Sequence, residues 1–432
     1  MQKDFSQIMQ DLVVKQASRL INLDLYNKAI LSTLPVALFA TNEDGKIQTV
    51  NSAAEEILSI NAEKVKGKLL LSLFQSSNDI IEKTEQTIKT GKSFHLSSKK
   101  LTLNSGKEIV GNFSLQPIID EEKIIRGVLL TIEDLTYVHF LQDAFKHYVP
   151  PSVSEMISKD PKNLKLGGEE KELTVLFSDL IGFSAISEKY SPGEMVTILS
   201  DYFDEMTDQV FLCEGTLSEY VGDELLAIFG APVDQPDNAS RACRSALAMD
   251  KRLKEMRKEW AEQGRPALKA RIGLNTGRML VGNLGSRHRF SYGVVGDNVN
   301  LGSRLEGLCG IYGVNILVSE TTANQASKSF ILREIDQVRV KGRVQPVKIF
   351  ELISEKNDSL PPGRQDSLSF YEKGRIAYQD KNWNTAIEKF LKALDAWPDD
   401  NPAKIMIERC EEYQKYPPSA DWDGVFKHQV KK

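Results

Sequence analysis

GTLSEYVGDELLAIFGAP, Gly215–Pro232, is the stretch that sets the expected architecture of the best patterned part of this chain. Two short apolar runs flank Gly222-Asp223, a residue pair that commonly reverses a β-hairpin. The carboxylate of Asp223 is therefore expected at a hairpin tip, where it either only shapes the turn or binds a ligand. A second carboxylate, Asp179, ends the buried-looking strand LTVLFSD at 173–179. If the two strand ends lie side by side, they form an oxygen cage suited to Mg²⁺.

The composition indicates a soluble protein of several domains. The chain has 432 residues, too many for one core, with a net charge of −5 and 41% hydrophobic residues. This charge gives no general reason to expect nucleic acid or a membrane surface as a partner. The four cysteines are far apart, and no apolar run reaches the roughly 20 residues of a membrane span. We therefore expect a cytoplasmic protein without a membrane span.

The N-terminal third contains a helix followed by a strand-rich segment. Residues 1–28 predict an amphipathic helix that contacts a second copy of the chain or packs on its own domain. Residues 29–136 carry a hairpin signal at Glu43-Asp44-Gly45, and the pattern from Asp44 to Leu58 resembles the opening of PAS sensory domains. That resemblance implies a sensor or dimerisation module that binds an unknown small ligand or none. The segment has no cysteine and one histidine, His95, which does not support haem or flavin.

Two further helical segments lie on either side of the best patterned region. Within the linker at 137–169, apolar residues spaced by three and four predict a short helix that ends at Pro150-Pro151. This helix is either core or a parallel dimer contact that transmits a signal. Residues 365–416 resemble a tetratricopeptide helical hairpin, and a single repeat would have to pack on the preceding domain or on a helix such as Lys404–Tyr416.

Residues 170–354 have the order strand, helix, hairpin, helix, strand. Ser191-Pro192-Gly193-Glu194 predicts a capped helix start, and another helix begins at Asp297. Thr276-Gly277 is interpreted as a turn between two strands. This order is that of a split βαβ, ferredoxin-like core, so the fold class is α/β (α+β).

The same region resembles the catalytic domain of class III nucleotide cyclases. The resemblance rests on five motifs: LFSDLIGFS, EYVGDELLAIFGAP, RIGLNTGRMLVGNLG, YGVVGDNVNLGSRLEG and VRVKGR. It implies two Mg²⁺ or Mn²⁺ ions per active site, held by Asp179, Asp223 and the backbone carbonyl of Leu180. It also implies a head-to-tail homodimer, because in this family each site lies between two such domains.

Four further residues match family positions that contact the nucleotide. Asn300 and Arg304 are spaced i, i+4 and so share one helix face. By resemblance, Asn300 orients the ribose and Arg304 stabilises charge developing on the α-phosphate, for which a planar guanidinium is well suited. Lys341 and Arg271 match positions that reach the terminal phosphates.

Base selection departs from the commoner pattern of the family. Adenylate-forming members usually carry Lys and an Asp, Thr or Ser at the positions that are Glu219 and Gly293 here. A carboxylate accepts from the N1–H and N2–H₂ donors of guanine and repels N1 of adenine. Glu219 therefore favours GTP, although Gly293 offers no side chain to the guanine O6.

Several functions remain open alongside a PAS-regulated enzyme that converts GTP into cyclic GMP and pyrophosphate. The chain could instead make cyclic AMP from ATP, or accept both purine nucleotides. It could also be a catalytically silent signalling scaffold. A diguanylate cyclase is disfavoured, because Val221 replaces the first glycine of the GGDEF signature.

Overall fold

Two β-sheets, one in each of two units of the chain, organise the architecture. The computed structural model describes residues 5–74, 78–103, 106–340, 345–419 and 422–427. One unit extends to Tyr148 and the other begins at Val149. No helix within the described ranges is both long and apolar enough to cross a bilayer.

The first unit is a five-stranded antiparallel sheet in the order β2-β1-β5-β4-β3 with helices around it. Its helices are α1 (Phe5–Thr33), α2 (Ser52–Leu58), α3 (Ala62–Val65), α4 (Asn78–Thr90) and α5 (Thr136–Tyr148), with a 3₁₀ turn at Leu70–Leu73. Its strands are β1 (Ala37–Thr41), β2 (Ile47–Val50), β3 (Phe94–Thr102), β4 (Glu108–Ile119) and β5 (Ile125–Asp134).

Local sequence signals explain much of this unit. The predicted hairpin joins β1 and β2, and Gly45 in its turn has a φ of +76°. The side chain of Asn51 caps α2 by accepting from the Ala54 N–H and also accepts from the Leu38 N–H. The N-terminal helix extends to Thr33, beyond the predicted end, and apolar side chains along it are exposed.

The second unit contains a longer sheet in the order β14-β12-β13-β11-β9-β6-β8-β7, with β10 paired to β9. Its first elements are α6 (Pro151–Lys159), a 3₁₀ turn (Pro161–Asn163), β6 (Gly167–Leu180), α7 (Phe183–Ser187), α8 (Pro192–Leu212), β7 (Thr216–Val221), β8 (Glu224–Phe229), α9 (Asn238–Glu262), β9 (Ala270–Gly285), β10 (Phe290–Val295) and α10 (Asp297–Tyr312). They are followed by β11 (Ile316–Ser319), α11 (Glu320–Ala326), β12 (Phe330–Arg339), β13 (Val347–Glu355), α12 (Arg364–Gln379), α13 (Trp383–Ala396), α14 (Asn401–Lys415) and β14 (Phe426–Lys427).

Helices cover both faces of this sheet, as expected for an α/β core. On one face α8 and α9 bury Tyr202, Met206 and Met249 against the strands. On the other face α10 lies over β6, so closely that a Cβ at Gly302 would be 2.9 Å from a methyl group of Val175. The predicted capping box of Ser191 and Glu194 begins α8.

The strand β9 is continuous, so the predicted turn at Thr276-Gly277 is wrong. Both residues pair with β6 in unbroken antiparallel register. Gly277 is needed there for packing, because a Cβ would lie only 2.6 Å from Nδ2 of Asn298 on α10. The glycine thus marks the close approach of a helix rather than a chain reversal.

The C-terminal helices pack on the same unit, as the sequence predicts. Gly374 of α12 lies against the ring of Phe390 on α13, where a Cβ would be 2.6 Å from the ring. Trp422, beyond α14, packs edge-on against Tyr378 with ring centroids 5.4 Å apart. The chain then returns to the sheet, where β14 pairs in parallel with β12 through Val338 and Phe426.

Candidate active site

Asp179 and Asp223 lie together at one end of the central strands. Asp179 is the penultimate residue of β6, whose neighbour β8 is paired with it as far as Ser178 and Leu225. Asp223 stands two residues before Leu225, in the two-residue turn of the predicted β7–β8 hairpin, where Gly222 takes a φ of +66°. Both carboxylates are half-buried, and they hydrogen-bond when one of them holds a proton.

The negative charge at this end of the sheet is only partly compensated. Burial, the charge of Asp223 and the hydrogen bond with it raise the pKa of Asp179 from 3.8 to about 6. Burial and the charges of Asp179, Asp223 and Glu219 also raise the pKa of Glu224 above its usual value. The surrounding negative charge therefore disfavours ionisation of Asp179 and Glu224, and a bound cation would relieve this effect.

Arg271 is a cation that acts on this acidic group from the neighbouring strand. It sits opposite Asp179 on β9, and its charge acts to lower the pKa of Asp179. Its guanidinium lies against α10, where a Cβ at Gly310 would be 2.8 Å from Cζ. The Nε atom is buried without a hydrogen-bond partner among the described residues, so the group retains an unused donor.

Glu306 is a site residue that the sequence analysis missed. Burial and the charge of Asp179 raise its pKa from 4.5 to about 7, while Arg271 acts in the opposite direction. Its Oε1 atom is buried and lacks a hydrogen-bond partner in the described part of the chain. The signal that the sequence offered was a carboxylate two residues after Arg304, between the apolar residues Leu305 and Leu308.

The helix α10 carries Asn300 and Arg304 one turn apart. Its first turn is fixed to β9, because Asn298 Nδ2 donates to the Arg278 carbonyl at 3.0 Å and Asn275 Nδ2 donates to the Asn298 carbonyl at 2.7 Å. Asn300 is exposed, whereas Arg304 is half-buried. Arg304 Nη1 is buried and has no hydrogen-bond partner within the described ranges, an arrangement that suits an anionic ligand.

Glu219 and Gly293 lie on neighbouring elements. Glu219 is exposed on β7, next to a bulge at Ser218 that interrupts the pairing with β8. Gly293 is on β10, where a Cβ would lie 3.6 Å from Oγ of Ser218. The two positions of the proposed base-selecting pair therefore border the same surface.

The donor set fits a divalent cation. Asp179 and Asp223 offer hard carboxylate oxygens, which Mg²⁺ and Mn²⁺ prefer, and their mutual repulsion would be relieved by a positive charge. Leu180, the proposed carbonyl ligand, is buried at the end of β6. No group of three or more His, Cys, Asp or Glu residues poised to hold a metal occurs in the described ranges. Lys341 lies outside the described residues.

Two family profiles match this chain. The profile for the adenylate and guanylate cyclase catalytic domain matches residues 168–354, which include Asp179, Asp223 and the α10 residues. The profile for the PAS fold matches residues 26–135.

Individual relatives resemble the region of the first profile. Adenylate cyclase 1 of Rhizobium meliloti is 35% identical over 212 residues, which are 48% of this chain and 31% of that protein. Crystal structures of the adenylyl cyclase CyaB from P. aeruginosa and the guanylyl cyclase Cya2 are 34% and 37% identical; each match covers 45% of this chain and 100% of the other, with a TM-score of 0.42. The chain spans less than half the length of the first curated relatives it matches.

Proposed function

Because residues 168–354 belong to the adenylate and guanylate cyclase catalytic domain family and residues 26–135 to the PAS fold, we propose that this chain is a PAS-regulated class III cyclase that converts GTP into cyclic GMP and pyrophosphate. The observation that carries the catalytic assignment is the half-buried pair Asp179 and Asp223 at the end of β6 and the tip of the β7–β8 hairpin. Glu219 on the same hairpin supports the choice of GTP.

The reaction joins the ribose 3′-oxygen to the α-phosphorus and breaks the bond from that phosphorus to the pyrophosphate oxygen, while the proton of the 3′-hydroxyl passes to the solvent or to the leaving pyrophosphate. Asp179, Asp223 and the Leu180 carbonyl would hold two divalent cations, which when bound supply Lewis acidity at the attacking and leaving oxygens. Among the described residues, Arg304 has a buried donor without a partner, suited to charge that develops on the α-phosphate. Within the same residues, Arg271 keeps an unused donor next to the acidic pair, for the terminal phosphates.

The sites would form between two copies of the chain. Asn300 is exposed on α10, as is Glu219 on β7, so both can reach a nucleotide held by a partner. Each chain carries one metal-binding pair and one Asn300–Arg304 pair, which a head-to-tail C₂ dimer would combine into two equivalent sites. The sensor unit would act on this arrangement through α5, the predicted signalling helix.

The guanine preference rests on hydrogen-bond complementarity. The Glu219 carboxylate can accept from both donors on the Watson–Crick edge of guanine, and it would face an acceptor on adenine. A site with buried polar groups for one base can reject the other by roughly 10⁴-fold. Ser218, whose Oγ lies beside Gly293, is a candidate donor to the guanine O6.

A direct assay tests both parts of the proposal. The purified full-length chain is incubated with Mn²⁺ and either GTP or ATP, and the products are separated and identified. Cyclic GMP from GTP is the expected result. Cyclic AMP alone would overturn the base assignment, and a lack of any cyclic mononucleotide would overturn the catalytic assignment.

Cyclic AMP synthesis is the second candidate. It is favoured by the names of the Rhizobium relative and of an Anabaena cylindrica relative that is 32% identical over 219 residues, both of which are adenylate cyclases. Gly293 also lacks a side chain that could donate to the guanine O6. The same assay distinguishes the two substrates.

A further inference from the structure

A buried ionic cluster joins the sheet of the second unit to the C-terminal helices α12–α14. Its centre is Asp336 of β12, whose side chain is fully buried. Arg375 of α12 donates to Asp336 Oδ1 at 3.1 Å, and Arg409 of α14 donates to Oδ2. The same Oδ2 accepts from the hydroxyl of Tyr312 at 2.6 Å.

A bulge in β12 brings these charges to one face of the sheet. Arg333 is opposite Glu351 on β13 and Asp336 is opposite Ile349, so Ile335 is the extra residue between them. Without it, residues three apart would point to opposite faces. Arg333 instead bonds to Asp400, just before α14, at 2.7 Å, and this second pair also faces the C-terminal helices.

Tyr312 connects this cluster to α10, the helix that carries Asn300 and Arg304. It is the last residue of α10, two turns beyond Arg304, and it is fully buried. The next residue, Gly313, ends the helix with a φ of +63°, and its carbonyl accepts from Asn401 Nδ2 at 3.2 Å. The C-terminal end of α10 is therefore held at two points, by β12 through Asp336, which the arginines of the C-terminal helices also bind, and directly by Asn401 of α14.

We propose that Asp336 is a positioning residue of the cyclase, which acts through Tyr312 to fix the helix that presents Asn300 and Arg304. The inference rests on the proposed function. Since α10 is tied to β9 at its first turn and to the cluster at its last, its axial position is set at both ends. A shift of about 1 Å in a transition-state group can cost roughly 100-fold in rate. The C-terminal helices thereby become part of the support of the active site.

The test compares two tyrosine variants of the full-length chain. Tyr312→Phe removes the hydroxyl that reaches Asp336. Tyr371→Phe removes an equally buried hydroxyl that donates to the Ile335 carbonyl at 3.0 Å, in the same interface but without contact to α10 through that bond. We expect Tyr312→Phe to lower kcat by about tenfold with KM for the nucleotide unchanged, and Tyr371→Phe to stay within about twofold of wild type.

A double-variant cycle separates positioning from general destabilisation. In an Arg304→Ala background the kcat effect of Tyr312→Phe should become smaller, because one of the two groups that it positions is gone. A loss that persists undiminished there, or an equal loss in Tyr371→Phe, would overturn the inference. If Tyr312→Phe does not fold, Asn401→Ala at the exposed Gly313 contact takes its place, with an expected loss of about threefold in kcat.

The outcomes for the two proposals differ. A wild-type chain that forms no cyclic nucleotide would overturn the proposed function and, with it, the role of Asp336. An active wild type whose kcat is unchanged by Tyr312→Phe and by Asn401→Ala would overturn the positioning role alone.

Discussion

Asp179 lies at the end of β6 and Asp223 in the turn between β7 and β8, yet their carboxyl groups lie close enough to share a proton. The two-residue turn of the β7–β8 hairpin produces this proximity, because it places Asp223 beside the end of β6. Two half-buried carboxylates in contact repel each other when both are ionised, and a bound cation relieves that repulsion.

Asp223→Asn should lower cyclase activity by roughly 100-fold or more, because loss of a direct ligand should exceed the 10- to 100-fold cost of losing an outer partner. The expected signature is a large fall in kcat at saturating Mn²⁺ with a fold that is intact by circular dichroism. Asp395→Asn, an exposed change on α13, is the matched control. Activity within twofold of wild type in Asp223→Asn would remove this residue from the metal site.

The metal-free protein should lose stability as Asp179 ionises. Because the folded state raises the pKa of Asp179 from 3.8 to about 6, it holds that proton more tightly than the unfolded chain. The contribution is complete below pH 3.8 and is lost as the pH rises to about 6. The free energy of unfolding of Asp179→Asn at pH 8 should therefore be about 1 kcal/mol higher than that of wild type. This value is smaller than the full pKa difference implies, because solvent screens the charge of a half-buried group.

Thermal unfolding in EDTA between pH 4 and pH 8 measures this difference. Above about pH 6, Mn²⁺ should raise the melting temperature of wild type, since bound metal stabilises only the folded state. The melting temperature of Asp179→Asn should stay nearly unchanged by Mn²⁺. Parallel pH profiles for the two proteins would contradict the interpretation of the acidic pair.

Base preference should move when the two selecting positions are changed together. Glu219→Lys with Gly293→Asp should reduce kcat/KM for GTP by roughly 100-fold and raise the value for ATP. Position 293 has room for a side chain, because a Cβ there makes only an ordinary 3.6 Å contact with Ser218. Gly293→Ala is the control for that room and should retain GTP activity. An unchanged ratio of the two substrates would place selection in another element.

Two inactive variants should restore activity when mixed. Asp223→Ala removes the proposed metal ligand and Arg304→Ala removes the arginine proposed to stabilise the transition state, so each variant, as the proposed homodimer, would lack a necessary group in both sites. A heterodimer has one complete site, and an equimolar mixture should recover about a quarter of wild-type activity if subunits exchange freely. Co-expression with two affinity tags measures this recovery. No recovery in purified heterodimers would show that both groups act within one chain.

The local features of the site could be predicted from the sequence, whereas its support could not. The Gly222-Asp223 hairpin and the capped start of α8 depend on neighbouring residues, whose preferences are readable. In the sequence, Gly277 cannot be distinguished from a glycine in a turn. Its role depends on α10, a helix from a distant segment that packs on it.

Ion pairs between residues far apart in the sequence could not be predicted either. Asp336 meets Arg375, Arg409 and Tyr312 only after the C-terminal helices fold back on the sheet, and nothing in the spacing of these residues marks them as partners. Glu306 was missed for a related reason, because a carboxylate on a helix is usually solvated. Its surroundings become visible only when Arg271 and Asp179 are placed beside it.

The buried cluster also determines where the catalytic unit can be cut. A fragment that ends after Glu355 would leave Asp336 without its two arginines and Arg333 without Asp400. Because the same helices cover this face of the sheet, such a fragment would lose both the ion pairs and the burial of Asp336, and we expect it to be less stable than the whole chain. The boundary suggested by the family match therefore cuts through a packed interface. We expect a stable fragment of the second unit to include its last helices.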